Sequence, residues 1–229
     1  MKKTRELEEL LGLRHSAVAV TFQESPPEGV ERVDRPALSG CSYWKYASEG
    51  QKFYTRAEDH YNCPVGAYTH GVDLPPERMK EFEGLVGTMV ELSYLGADEV
   101  PWIPKRDEPF RFAVYAPLAD ADDEPDVVLL HGNARQLMLF AEAVHAAGIT
   151  VDSKLVGRPT CAVIPEVMRS RGCVANLGCI GNRVYTDLGD NELYFAVPGN
   201  LIDALIEKLE KIVHANRELE TFHRSRLEA

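Results

Sequence analysis

Apolar residues recur along this chain at two spacings, and the spacings divide it into strands and helices. Ser16-Ala-Val-Ala-Val-Thr-Phe22 is a compact Val-rich run closed by Ser25-Pro-Pro-Glu-Gly29, which predicts a buried strand ending in a loop. Arg111–Ala116 and Asp126–Leu130 predict two more strands, the second apolar enough to be central. Helical spacing places Leu7, Leu10 and Leu11 on one side of a short helix over 4–11, with Gly12 just past its end. Leu137, Met138, Ala141 and Val144 mark a helix after His131-Gly-Asn133, with Asn133 as N-cap and Gln136 at the capping-box position. After Pro198, Leu201, Ile202, Leu205, Ile206, Leu209, Ile212 and Val213 form a wide core-facing stripe. The stretches 23–40 and 95–110 predict long loops, and the charged tail 216–229 a solvated helix.

Composition narrows the setting. A chain of 229 residues, 45% hydrophobic, is long enough to bury a sizeable core without disulfide staples. A formal charge of −11 opposes nucleic-acid backbones and anionic lipid surfaces. The charged start is unlike a secretory signal, and no apolar run is long enough to span a membrane. These features predict a cytoplasmic protein, where five cysteines are free thiols or ligands rather than bridges.

The cysteines fall into a pattern. Each half shows an apolar strand, a first cysteine, a second cysteine followed closely by glycine, then a proline-started amphipathic helix. In the first half these are Ser16–Phe22, Cys41, Cys63-Pro-Val-Gly66 and a helix from Pro75 through Leu85, Met89 and Leu92; in the second, Asp126–Leu130, Cys161, Cys179-Ile-Gly181 and the helix after Pro198. This order predicts an α/β (or α+β) fold of mixed sheets and packed helices, one unit over 1–229. Its suspected repeat halves, 1–110 and 111–215, would be related by a pseudo-twofold axis that brings the cysteine pairs together.

Cys41, Cys63, Cys161 and Cys179 match in number the thiolates that hold an iron-sulfur cluster. Cys63 and Cys179 lie in turn contexts, and Pro64 suits the first position of a helix, next to backbone N–H groups that favour a thiolate. No C-x-x-C occurs, which argues against a metal site in general and against structural zinc most of all. Cys173 stands outside the scheme as a packing residue or a spare thiol. Arg183 is a candidate to balance the charge of a bound centre. His131 and Asn133, where a strand meets a helix, are second-rank candidates for ligand contact, and His60 and His70 flank Cys63 in sequence. The aromatics from Tyr43 to Tyr61 predict either a pocket wall or core. Gly-rich phosphate loops, G-x-G-x-x-G, H-E-x-x-H and G-x-S-x-G are all absent, which disfavours kinase, dinucleotide-dehydrogenase, zinc-protease and serine-hydrolase readings.

Leu11-Gly-Leu-Arg-His-Ser-Ala-Val-Ala-Val20, Asn62-Cys-Pro-Val-Gly-Ala67, Pro125–Leu130 with Gly132-Asn133, Cys161-Ala162 and Gly178-Cys-Ile-Gly-Asn-Arg183 with Tyr185-Thr-Asp187 together resemble a prokaryotic family catalogued as domain of unknown function 169. The likeness runs from about Leu7 to Ile212. It implies cysteines matching Cys41, Cys63, Cys161 and Cys179, and no agreed activity. Val65 stands where glycine is usual, and Asn182 where serine is common. The leading expectation is an iron-sulfur cluster on these four cysteines, serving electron transfer or a reductive reaction as in an oxidoreductase. A small-molecule substrate or a redox partner protein would be its counterpart. The alternatives are a metal-free thiol enzyme using Cys63, and a small-molecule binding module whose cysteines only pack.

Overall fold

The computed structural model describes residues 2–154 and 156–228. One seven-stranded sheet organises them: β1 (Val18–Gln23), β2 (Phe53–Arg56), β3 (Phe112–Pro117), β4 (Val127–Asn133), β5 (Val151–Lys154), β6 (Cys173–Asn176) and β7 (Glu192–Pro198), in the order β2-β3-β1-β4-β7-β6-β5. Every pairing is antiparallel except β5 with β6. The mixed α/β class expected from the sequence is therefore present, and β4 is the middle strand. Its run Val127–Leu130 is buried on both faces of the sheet, as an apolar stretch without alternation requires.

Among the described residues, eight α-helices accompany the sheet. On one face lie α1 (Lys2–Leu11), α5 (Ala134–Ala146) and α8 (Ile202–Ser225), which join Leu7, Leu11, Val128, Leu130, Phe140, Val144, Leu205 and Leu209 in one core. On the other are α2 (Cys41–Ser48), α3 (Pro64–Thr69), α6 (Val163–Ser170) and α7 (Ile180–Thr186), with Tyr43, Trp44, Tyr115, Val127, Leu129, Ile164 and Tyr194 in a second core. Strand alternation makes the division: Val127 and Leu129 face one core, Val128 and Leu130 the other. The remaining helix, α4 (Pro76–Glu91), lies outboard of α3, where Tyr68 stacks on Phe82.

Several expectations take definite form. Asn133 caps α5 through the capping box, accepting from Gln136 N at 3.1 Å while Gln136 Oε1 accepts from Asn133 N at 2.9 Å. The buried stripe of α5 is Leu137, Phe140, Ala143 and Val144; Met138 is exposed, one position off the inward face. The suspected duplication finds no support in the sheet. β3, from the second half, lies between β2 and β1 of the first, and the supposed counterparts α4 and α8 differ: α4 has no buried residue, whereas α8 is a core helix of the opposite face. No helix among the described residues is long and apolar enough to cross a membrane.

Candidate functional site

Four of the five cysteines come to one layer on one face of the sheet, each at the beginning of a helical segment. Cys41 is the first residue of α2; Cys63 is the N-cap of α3, with Pro64 following; Cys161 lies in the 3-10 turn Thr160–Ala162 that runs into α6; Cys179 is the N-cap of α7. Cys41 and Cys161 are buried, Cys63 and Cys179 half-buried. Burial pushes the Cys41 thiol far up, and the neighbouring Cys63 and Cys179 add to the effect. The Cys161 thiol is raised by burial first, then by Cys41, Cys63 and Cys179. These mutual influences put the four thiols in one neighbourhood, although 138 residues separate Cys41 from Cys179. Cys173 is on the opposite face in the other core, and burial alone pushes its thiol up to about 12. It stands apart from the other four.

Local hydrogen bonds explain how distant segments are held together. Tyr43 Oη accepts from Ala37 N at 3.0 Å and donates to Asp59 O at 2.7 Å, which ties the approach to Cys41 to the turn before Cys63. Asp59, itself 2% exposed, receives Arg32 through both oxygens, at 3.0 and 2.6 Å, and Arg56 N at 2.8 Å. Cys179 N donates to Thr160 Oγ1 at 2.6 Å, joining the Cys161 and Cys179 turns. Cys179 Sγ accepts from Asn182 N at 3.5 Å, and Ser39 Oγ stands 4.0 Å from Cys63 Sγ. A Cβ on Gly66 would stand 2.9 Å from Cys63 Sγ, so only glycine there leaves the thiol its place.

The same layer holds most of the buried polar atoms that have no hydrogen-bond partner. Among the described residues these are His60 Nδ1, His70 Nε2, Tyr115 Oη, both side-chain atoms of Asn182, and Arg56 Nε. Asn182 is 1% exposed and lies close enough to Cys41 and Tyr194 to favour their ionised forms, yet no hydrogen bond of normal geometry closes on its amide. Orphaned polar groups of this kind each cost about 1–3 kcal/mol unless a water, an ion or a ligand satisfies them.

The two imidazoles beside the centre are buried, with ring centroids 5.7 Å apart. His70 Nδ1 lies 2.8 Å from Gly66 O and His60 Nε2 lies 3.0 Å from Thr55 Oγ1. Burial lowers His60 well below the usual histidine range and His70 to about 4. Neither ring hydrogen-bonds Cys63, so no imidazole base is set against that thiol.

The second-rank candidates lie elsewhere. Arg183 gives its guanidinium to the carbonyls of Gly189, Leu177 and Glu192, so it braces the loop after α7 instead of facing the thiols. Asn133 is occupied as the cap of α5. His131 is on the thiol face of β4, against His15 at 5.1 Å and Tyr194 at 5.7 Å, and lines a cleft of about 140 Å³ with Arg14, Lys45, Asp187 and Glu192. Burial, then His15, lowers His131 to about 4. Sequence reasoning missed Asn182 and Tyr194; a polar residue three positions after a helix-capping cysteine was the available signal. As they stand, no three His, Cys, Asp or Glu side chains among the described residues are spaced to hold a metal ion.

Fold and site together define a mixed α/β protein with two buried and two half-buried cysteines on one face of its sheet. The chain belongs to the family of uncharacterised ArCR proteins, domain of unknown function 169, whose model matches residues 6–208. It is also similar to an uncharacterized protein of Methanocaldococcus jannaschii, 28% identical over 222 residues that cover 91% of this chain and 93% of that protein. No solved structure matches.

Proposed function

We propose that Cys41, Cys63, Cys161 and Cys179 hold an iron-sulfur cluster that serves electron transfer or a reductive reaction. The observation that carries this reading is the placement of four cysteines from four separate segments on one face of the sheet, each at the start of a helical segment. Thiols meant only for packing have no need of one another, as Cys173 illustrates on the other face. The donor set is soft and sulfur-only, which suits iron-sulfur chemistry. Gly66, where a Cβ would stand 2.9 Å from Cys63 Sγ, keeps a side chain away from that thiol.

A cluster bound here would supply one-electron chemistry, and the residues of the chain would do the rest. Cys41 and Cys161 must lose their protons on loading, since burial keeps both as thiols in the free protein. The Arg32–Asp59–Arg56 bracket and the Tyr43 hydroxyl fix the segments that carry Cys41 and Cys63. Trp44, Tyr43 and Tyr115 exclude water from the inner side. Anaerobic purification or reconstitution tests the reading: brown protein with broad visible absorption and stoichiometric iron and sulfide is expected. Colourless protein that takes up neither under reconstitution would overturn it.

A further inference from the structure

The cleft beside His131 collects charge of both signs, and none of the four cysteines lines it. Arg14 and His15 reach it from the segment between α1 and β1, His131 and Glu192 from the adjacent ends of β4 and β7, and Lys45 and Asp187 from the C-terminal ends of α2 and α7. Two of the segments that carry the family likeness, Leu11–Val20 and Tyr185-Thr-Asp187, therefore meet here. Lys45 is already engaged: its ammonium pairs with Asp187 and, at 3.5 Å, with Glu49. Arg14 and Glu192 are not. Both line the cleft, yet neither has an ion-pair partner among the described residues, and the Glu192 carboxylate receives one backbone N–H, that of Gly189 at 2.9 Å. The imidazoles of His15 and His131 stand 5.1 Å apart, and no hydrogen bond among the described residues engages either ring.

A ligand for this cleft must answer both charges. A lone anion would meet Glu49, Asp187 and Glu192 at the carbonyl ends of two helices, and a lone cation would meet Arg14 and Lys45. The volume of about 140 Å³ has room for about five waters at about 30 Å³ each, well below what a drug-sized ligand fills, so the ligand has only a handful of non-hydrogen atoms. We propose that the cleft binds a small α-amino acid as its zwitterion, with the ligand carboxylate on the guanidinium of Arg14 and the ligand ammonium on the carboxylate of Glu192. Arginine suits the first contact because its planar fork of donors matches a carboxylate. His131, kept neutral by burial, offers one donor and one acceptor to the ligand without adding charge. A side chain about the size of that of alanine or serine fits the space. Binding is non-covalent, and the site is independent of the cysteines.

Isothermal titration calorimetry of the full-length protein near neutral pH tests this, with glycine, L-alanine and L-serine as ligands. Propionate and L-alaninamide serve as controls that each lack one of the two charges. At least one of the three amino acids should saturate the protein with a Kd of about 1 mM or below, and both controls should bind about tenfold more weakly or less. Arg14→Gln and Glu192→Gln should each weaken the amino acid about tenfold or more, by removing one charged partner while a glutamine at 192 still accepts from Gly189 N. Saturation by none of the three amino acids overturns the proposal, and so does a control that binds as tightly as the amino acid. An affinity that either folded variant leaves unchanged overturns it as well. If Glu192→Gln does not fold, Arg14→Gln decides, because Arg14 is exposed and its replacement leaves the core intact. Iron and sulfide uptake is measured separately, so failure here leaves the four-cysteine reading standing, and failure of that reading leaves this site in place.

Discussion

The buried imidazole of His70 makes stability depend on pH in a direction and a window that follow from its surroundings. It is 2% exposed, its Nε2 has no partner, and burial lowers its pKa from the usual 6.5 to about 4. Above pH 6.5 the ring is neutral in folded and unfolded chains alike, and the folded state keeps its full stability. Between 6.5 and about 4 the unfolded chain binds a proton that the folded one refuses, so stability falls as pH falls; below about 4 both are protonated and the loss levels off. A shift of this size is worth about 3 kcal/mol in all, of which about 2–3 kcal/mol is lost by pH 4.5. His60 and His131 act in the same sense. Urea denaturation of reduced, chelator-treated protein at pH 7.5 and 4.5 measures the total. Repeating it with His70→Gln, which keeps an N–H near Gly66 O but does not titrate, isolates this residue. Wild type should lose about 2–3 kcal/mol more than the variant. Equal losses would refute the assignment of a buried, neutral His70.

Other outcomes follow from the same geometry. Tyr43→Phe strands the buried partners Ala37 N and Asp59 O and should lower stability by about 2–3 kcal/mol in denaturant titrations, weakening iron retention as the Cys41 approach loosens. Gly66→Ala should displace the Cys63 thiol and abolish iron uptake while circular dichroism stays native. Asn133→Ala should cost about 1 kcal/mol through loss of the α5 cap, with no effect on iron content. Because Cys41 and Cys161 are protonated in the free protein, iron retention against a chelator should weaken at least tenfold per unit as pH falls from 8 to 6; a flat profile would mean these thiols are not ligands.

The parts of the fold that patterning revealed are those with a clear period. The Val-rich run of β1, the apolar run of β4 and the stripe of α8 each bury most of the residues their spacing indicated, with Phe22, Leu201 and Ile212 half-buried at the ends or margins. The short elements were harder to read. β6 (Cys173–Asn176) and α7 (Ile180–Thr186) are too brief to show a period, and β7 was not distinguished from the approach to Pro198. The four cysteines stood out by number and turn context, but the repeat that seemed to unite them is not how they meet. They converge because α2, α3, α6 and α7 all cover one face of a single sheet. Arg183 looked like a counter-ion from its spacing to Cys179, yet α7 directs it to loop carbonyls. Asn182 was invisible as a partner, since which of two adjacent polar residues faces inward depends on the rotation of a seven-residue helix.

The central claim is that Cys41, Cys63, Cys161 and Cys179 form one ligand set while Cys173 does not. Anaerobic reconstitution of the five single Cys→Ala variants, with iron and sulfide counted per chain, tests it most directly. Each of the four should lose the visible chromophore and most of its iron, and Cys173→Ala should keep both. Full iron in any of the four, or its loss in Cys173→Ala from a folded protein, would contradict it.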